Sequence, residues 1–258
     1  MAAIASALRL GQRATIRGRR FLNLHEYQSA QILAAGGVTV PRGIAATSVE
    51  ECVKAAEQLK GDEVVIKSQI LAGGRGLGTF TNGFQGGVHV IPKSKTQEYA
   101  EKMIGQTLVT KQSGPEGKPV NTVLMAEKMD LVNEMYFAIL LDRAFGGPVV
   151  IACAEGGTSI EDLAEKYPEK IKKVPIDIVA GMTDQQASEI VDALEISGSK
   201  PAAIEQVKAL YGVFRDSDCT MVEVNPLAED SNGTLIAADA KLGFDDNTAF
   251  RQKDIFAQ

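Results

Sequence analysis

Nowhere does this 258-residue chain hold an apolar run near the eighteen residues that a membrane-spanning helix needs, which argues against a membrane partner. Cysteine is scarce too. Cys52, Cys153 and Cys219 are far apart, odd in number and set among apolar neighbours, which suits buried thiols in a reducing compartment better than a disulfide framework or a zinc site. Of the two histidines, His25 and His89, neither has an acid at a spacing suggestive of catalysis, so both are read as structural. A basic excess is also missing: 27 Lys and Arg stand against 33 Asp and Glu, a net charge of -6. Five of those basic residues, Arg9, Arg13, Arg17, Arg19 and Arg20, precede the first acid, Glu26; without them 22 basic residues face 33 acidic ones, or −11. An acidic body argues against a nucleic-acid partner, which recruits clustered Lys and Arg. No internal repeat is evident.

The acid-free start has its own reading. Arg9, Arg13, Arg17 and Arg20 recur at helical spacing beside Ile4, Leu8 and Ile16, so residues 1–21 can form the basic amphipathic helix of an organellar transit peptide. A secretory signal fits less well, because no continuous apolar core follows a basic start. A basic tail without structure is the plainer alternative.

The most informative stretch is Val64–Thr79. A short β-branched strand, Val64-Val65-Ile66-Lys67, delivers a lysine, and after five more residues comes Gly73-Gly74-Arg75-Gly76-Leu77-Gly78. Four glycines in six residues lose much chain entropy on folding unless a bound group rewards them. A polyphosphate is one such group, since bare amides can wrap its oxygens while Lys67 neutralises charge. The spacing matches no Walker-type loop, and an ordinary glycine-rich turn stays open.

Oxygen donors for a metal occur late in the chain. Thr220–Leu227 holds Glu223 and Asn225, and Asp239 follows fourteen residues after Asn225 within Ala237-Ala238-Asp239-Ala240-Lys241. Both segments alternate with a period of two and are joined through Glu229, Asp230, Ser231, Asn232 and Gly233, so they are expected to form a hairpin with Asp239 inside a strand. Asn225 and Asp239 on neighbouring strands would offer two hard oxygens to Mg2+, which takes few protein ligands and fills its octahedron with water and phosphate. Asp230 and Asn232 are read as turn chemistry.

The remaining pattern is mixed α/β. A helix is expected over 24–35, ending at Gly36-Gly37; Ser48 with Glu51, Ser94 with Gln97 and Thr183 with Gln186 each look like a helix start. Strands are expected around 121–127, 135–142 and 148–153, and a helix from Pro201 to Arg215.

Taken in order, Asn23-Leu24-His25-Glu26-Tyr27-Gln28, Ala72-Gly73-Gly74-Arg75-Gly76, Glu223-Val224-Asn225-Pro226 and Phe250-Arg251-Gln252 resemble the ATP-grasp region of the succinyl-CoA synthetase (succinate–CoA ligase) β-subunit family, over residues 22–256. The resemblance implies an α/β ATP-grasp fold of two lobes closing on a nucleotide, with about 42–126 forming a smaller inserted lobe. It implies that Lys67, Gly74, Arg75 and Gly76 contact nucleotide phosphates, that Glu127 and Glu134 contact the nucleotide, that Asn225 and Asp239 hold Mg2+, and that Glu223 lies where phosphate is passed on. Without the family, Glu127 and Glu134 would read as surface salt-bridge partners. Pro41 matches a position near the base pocket where proline looks like the ATP-using branch and glutamine the GTP-using one; proline offers no side-chain hydrogen bond to a guanine edge. ATP/ADP is therefore expected over GTP/GDP.

The resemblance further implies a partner α subunit that carries the phosphorylated histidine, residence in the mitochondrial matrix, and a role in the tricarboxylic acid cycle. Two departures stand out: Leu77 replaces a lysine common in the glycine loop, and the chain stops at Gln258, so the C-terminal CoA-ligase domain is expected to be absent. A β-type subunit of a malate or citrate CoA ligase, a non-catalytic nucleotide- or α-binding fragment, and a carboxylate-amine ligase of the ATP-grasp group are the other readings. The Asn23–Gln28 and Phe250–Gln252 signatures count against the last.

Overall fold

The computed structural model describes residues 22–258, so the expected leader at 1–21 lies outside the described residues. The described chain divides into two compact units, one made of His25–Gln28 and Pro41–Met129, the other of residues 22–24, Ser29–Val40 and Asp130–Gln258. Helix α1 (Glu26–Ala35) ends as the sequence suggests: Gly37 adopts φ 83, and the Val38 amide reaches back to the Leu33 carbonyl at 3.0 Å. A left-handed residue after the last turn is what allows those closing bonds, and glycine takes it without steric cost.

The first unit strings together β1 (Gly43–Ala46), α2 (Val49–Gln58), β2 (Glu63–Ser68), β3 (Thr79–Phe80), β4 (Val88–Pro92), α3 (Thr96–Met103), β5 (Thr107–Val109), β6 (Lys118–Pro119) and β7 (Val123–Glu127). Its main sheet has the order β1-β7-β2-β4 with every pair antiparallel, and β3-β5-β6 form a second small sheet. Val64 and Ile66 of β2 pack with Cys52, Ala55 and Ala56 of α2 and with Met103 of α3. Because side chains alternate across a strand, Lys67 leaves β2 on the face opposite to Ile66.

Two helix starts differ in detail. Ser48 caps α2 by accepting from the Glu51 amide at 3.2 Å, but the Glu51 carboxylate turns one residue further back, to the amide and hydroxyl of Thr47 at 2.7 and 2.9 Å. Ser94 does not cap a helix. A 3-10 turn over Lys93–Lys95 leads directly into α3, and Gln97 donates to Glu101 instead of reaching back. The turn supplies the backbone bond, Thr96 amide to Lys93 carbonyl, that makes a side-chain cap unnecessary.

The second unit contains β8 (Leu131–Asp142), β9 (Gly147–Cys153), α4 (Ile160–Lys166), β10 (Lys172–Pro175), α5 (Asp184–Ala193), α6 (Lys200–Asp216), β11 (Cys219–Asp230), β12 (Leu235–Ala237), β13 (Ala240–Phe244) and α7 (Lys253–Phe256). The sheet order is β10-β9-β8-β11-β12, with β13 also on β11. Both faces are covered. Met135, Phe137 and Ile139 pack with Ile190 of α5 and Val207 and Leu210 of α6, whereas Tyr136, Ala138 and Leu140 pack with Ile160 and Leu163 of α4. Two-sided burial explains why Met135–Leu140 of β8 and Val149–Cys153 of β9 are unbroken apolar runs. Each fully buried Phe137 or Ile139 contributes about 1.5–3 kcal/mol of apolar burial. Thr183 and Gln186 make the expected reciprocal cap on α5. The three cysteines are free and buried, and burial pushes the Cys52 and Cys219 thiols up to about 12. No helix among the described residues is long and apolar enough to cross a membrane.

Candidate functional site

The residues singled out from sequence fall into two groups. Pro41, Lys67, Gly74, Arg75, Gly76 and Glu127 belong to the first unit; Glu134, Glu223, Asn225 and Asp239 belong to the second.

In the first unit, Gly74 takes φ 72 and launches a 3-10 turn over Arg75–Leu77. The loop's own bonds run from the Leu77 amide to the Gly74 carbonyl (3.2 Å) and from the Gly78 amide to the Arg75 carbonyl (3.1 Å), so neither draws on the amide of Gly74 or Gly76. Gly78 is required by packing: a Cβ there would stand 2.9 Å from the Val109 carbonyl oxygen. Gly76 has nothing within 4 Å of its would-be Cβ, an open approach to the backbone, and Leu77 is 95% exposed, so a lysine at that position would need no repacking.

Lys67 and Arg75 meet on one carboxylate that sequence reading did not single out. Glu26 accepts from the Lys67 ammonium on Oε1 and from the Arg75 guanidinium on Oε2, each at 2.7 Å, and Gln69 Nε2 adds a third bond at 3.3 Å. Burial pushes the Glu26 carboxyl up, but the two cations outweigh it and hold it below the usual carboxylate range. Its partners lie 41 and 49 residues further along, a separation with no periodic signal. Glu127 sits at the other end of the β2–β7 pair, opposite Val64, where it accepts from the Lys60 amide at 3.1 Å and stands 3.7 Å from Arg42. Its own amide donates to the Arg42 carbonyl at 2.9 Å, which places Pro41 one residue from that contact.

In the second unit, Asn225 and Asp239 face each other. The Asn225 amide donates to the Asp239 carbonyl at 3.0 Å, and the Ala238 amide to the Pro226 carbonyl at 3.1 Å. Asp239 is not inside a strand, as the alternation suggested. It lies in the break between β12 and β13, both of which pair with the same edge of β11. Pro226 accounts for the break: it has no N–H to give a ladder, and on the β8 side too the register shifts between Val224 and Leu227. The adjoining turn is as expected, with Asp230 Oδ1 accepting from the amides of Asn232 and Thr234 at 2.9 Å each.

The Asn225 side chain is aimed by a second glycine pair that sequence reading missed, although Gly156-Gly157 stands plainly in the chain. The Gly157 amide donates to Asn225 Oδ1 at 2.9 Å, and Asn225 Nδ2 donates to the Thr158 carbonyl at 2.8 Å. A Cβ on Gly156 would fall 2.4 Å from Met135 backbone atoms, and one on Gly157, at φ 70, would fall 2.3 Å from Glu134 Oε2. This turn therefore touches both Glu134 and Asn225. Glu223 is a further product of packing: it accepts from the buried Tyr136 hydroxyl at 3.2 Å and lies 3.4 Å from the Lys241 ammonium. Burial, then the Glu223 charge, pushes the Tyr136 phenol well above its ordinary value, so it stays a donor.

Chemically, one amide oxygen and one carboxylate on facing positions are the hard donors that magnesium accepts, and two is an ordinary protein share for that ion. Among the described residues no group of three or more His, Cys, Asp and Glu gathers to form a softer or more enclosed metal cage.

Residues 23–229 match the model of the ATP-grasp domain. The chain is 58% identical over 241 residues to the mitochondrial β subunit of the ADP-forming succinate–CoA ligase of Arabidopsis thaliana, covering 92% of this chain and 57% of that protein. It is 47% identical over 241 residues to the mitochondrial β subunit of the GDP-forming enzyme of Mus musculus, covering 93% and 56%. The chain thus spans little more than half the length of these curated relatives. Among solved structures it superposes on the ATP citrate lyase of Methanothrix soehngenii with a TM-score of 0.68 at 18% identity, over 93% of this chain and 55% of that one, a likeness of fold alone. The match over residues 23–229, most of the chain, makes this chain a member of the ATP-grasp domain family.

Proposed function

We propose that this chain is the nucleotide-binding part of a succinate–CoA ligase β subunit, ADP-forming by preference, working with an α subunit in the mitochondrial matrix as part of the tricarboxylic acid cycle. The observation that carries the reading is the 58% identity to an ADP-forming β subunit across 92% of the chain. In this reading Lys67, Arg75 and the amides of Gly74 and Gly76 bind the phosphates, and Glu127 and Glu134 contact the nucleotide. Asn225 and Asp239 hold Mg2+, which when bound neutralises charge on the phosphate oxygens. Glu223, anchored by Tyr136, stands where a phosphoryl group would pass to a histidine of the α subunit. What these residues do is position and stabilise charge, the main demand of phosphoryl transfer. Pro41 supports ATP over GTP, because it offers nothing to a guanine edge.

Titration calorimetry of the full chain with ATP, with and without magnesium, tests the reading. Asp239→Ala is expected to abolish the magnesium-dependent part of binding. Unchanged Mg-ATP affinity in that variant would remove Asp239 from the metal site.

A further inference from the structure

We infer that Glu26 is a positioning residue of the phosphate site: it sets the spacing and aim of Lys67 and Arg75 before nucleotide arrives. The inference rests on the proposed nucleotide reading and deepens it.

Three observations on the first unit carry it. The Glu26 side chain is 6% exposed, and its two oxygens are divided between the two cations, Oε1 to Lys67 and Oε2 to Arg75, each at 2.7 Å. A buried carboxylate shared in this way fixes both cations at once, and its position is itself fixed. Gln69 donates to Glu26 with its amide nitrogen and accepts from the Tyr27 amide at 3.2 Å with its oxygen, so the residue after Glu26 is tied to the end of β2. Arg75 has a second anchor on the Ser68 carbonyl at 2.9 Å. The cations stay largely buried, with side chains 17% and 12% exposed, so they are held at the protein rather than extended into water. Both side chains that Glu26 fixes are cationic, the sign that a polyphosphate requires. Lys and Arg side chains lose much rotamer freedom when they bind a ligand; fixing them beforehand removes that cost from the binding step.

The test uses the full chain and compares Mg-ATP with adenosine, which has no phosphate to meet Lys67 or Arg75. Glu26→Gln is expected to weaken Mg-ATP binding tenfold or more while leaving adenosine affinity as in the wild type. In a Lys67→Met/Arg75→Met background the same change is expected to cost less than threefold, because a residue acting through two others has nothing left to aim. Should Glu26→Gln not fold, Glu26→Asp decides: it keeps the charge, withdraws the carboxylate by one methylene, and is expected to weaken Mg-ATP severalfold with adenosine unmoved. Unchanged or tighter Mg-ATP binding overturns the inference and makes Glu26 a competing counter-charge. A parallel loss of adenosine binding, or a full tenfold loss in the Lys67→Met/Arg75→Met background, overturns it in favour of a general structural role. If the wild-type chain binds no ATP, the nucleotide reading falls first and takes this inference with it.

Discussion

Gly157 offers a perturbation with a built-in control. Gly157 and Gly146 both have φ 70, a left-handed conformation that costs an alanine about 1–2 kcal/mol. They differ in surroundings. At Gly146 a new methyl meets nothing within 4 Å, whereas at Gly157 it stands 2.3 Å from Glu134 Oε2. Glu134 Oε2 is the end of a flexible side chain and can yield in part; the backbone at 157 takes up the rest, and its amide is the group that holds Asn225 Oδ1 at 2.9 Å. Losing a hydrogen bond of this type costs about 0.5–1.5 kcal/mol net, which as an affinity is about 2- to 12-fold. Urea unfolding should therefore give a loss of about 1–2 kcal/mol for Gly146→Ala, set by the backbone, and about 0.5–1.5 kcal/mol more for Gly157→Ala, which also loses the bond to Asn225. Titration of magnesium dependence in ATP binding should separate them, with Gly157→Ala weakened within that range and Gly146→Ala matching the wild type. Equal magnesium affinity in the two variants would refute the idea that the turn aims Asn225.

Two further outcomes concern Glu229 in the second unit and Pro41 in the first. Glu229 is 1% exposed and accepts from Ser197 (amide 3.1 Å, hydroxyl 2.7 Å), from Asn133 at 3.0 Å and from the Gly198 amide. Burial pushes its carboxyl up, but these donors outweigh burial and hold it below the usual range. The unfolded chain then binds the proton more readily, so this stabilisation is fully present above about pH 4.3 and is lost as pH falls through the depressed value. Glu229→Gln should cost about 1–3 kcal/mol at neutral pH by leaving donors mismatched, and it should flatten the acid side of the stability curve; parallel acid losses in both proteins would contradict this. Pro41→Gln should shift the ratio of ATP to GTP affinity toward GTP, since an amide can pair with a guanine edge, and an unmoved ratio would end the argument for ATP from this position.

Sequence alone determined the local features whose cause is local. The cap on α5, the stop at Gly37, the Asp230 turn and the lysine at the end of β2 were legible because capping, left-handed glycine, turn hydrogen bonds and period-two alternation act over a few residues. Several ordered motifs likewise pointed to the family. Other features only the tertiary structure decided. Asp239 left its strand because Pro226, on the neighbouring strand, cannot complete a ladder; Ser94 lost its capping role to a preceding turn. Glu26, Tyr136 and Gly157 became part of the candidate sites through partners 41, 87 and 68 residues away. No spacing rule encodes such pairs, because they are set by which strand packs beside which. The residue types that can bind an anion or a metal are written in the chain; which of them share a carboxylate or face each other across a broken ladder is a consequence of folding.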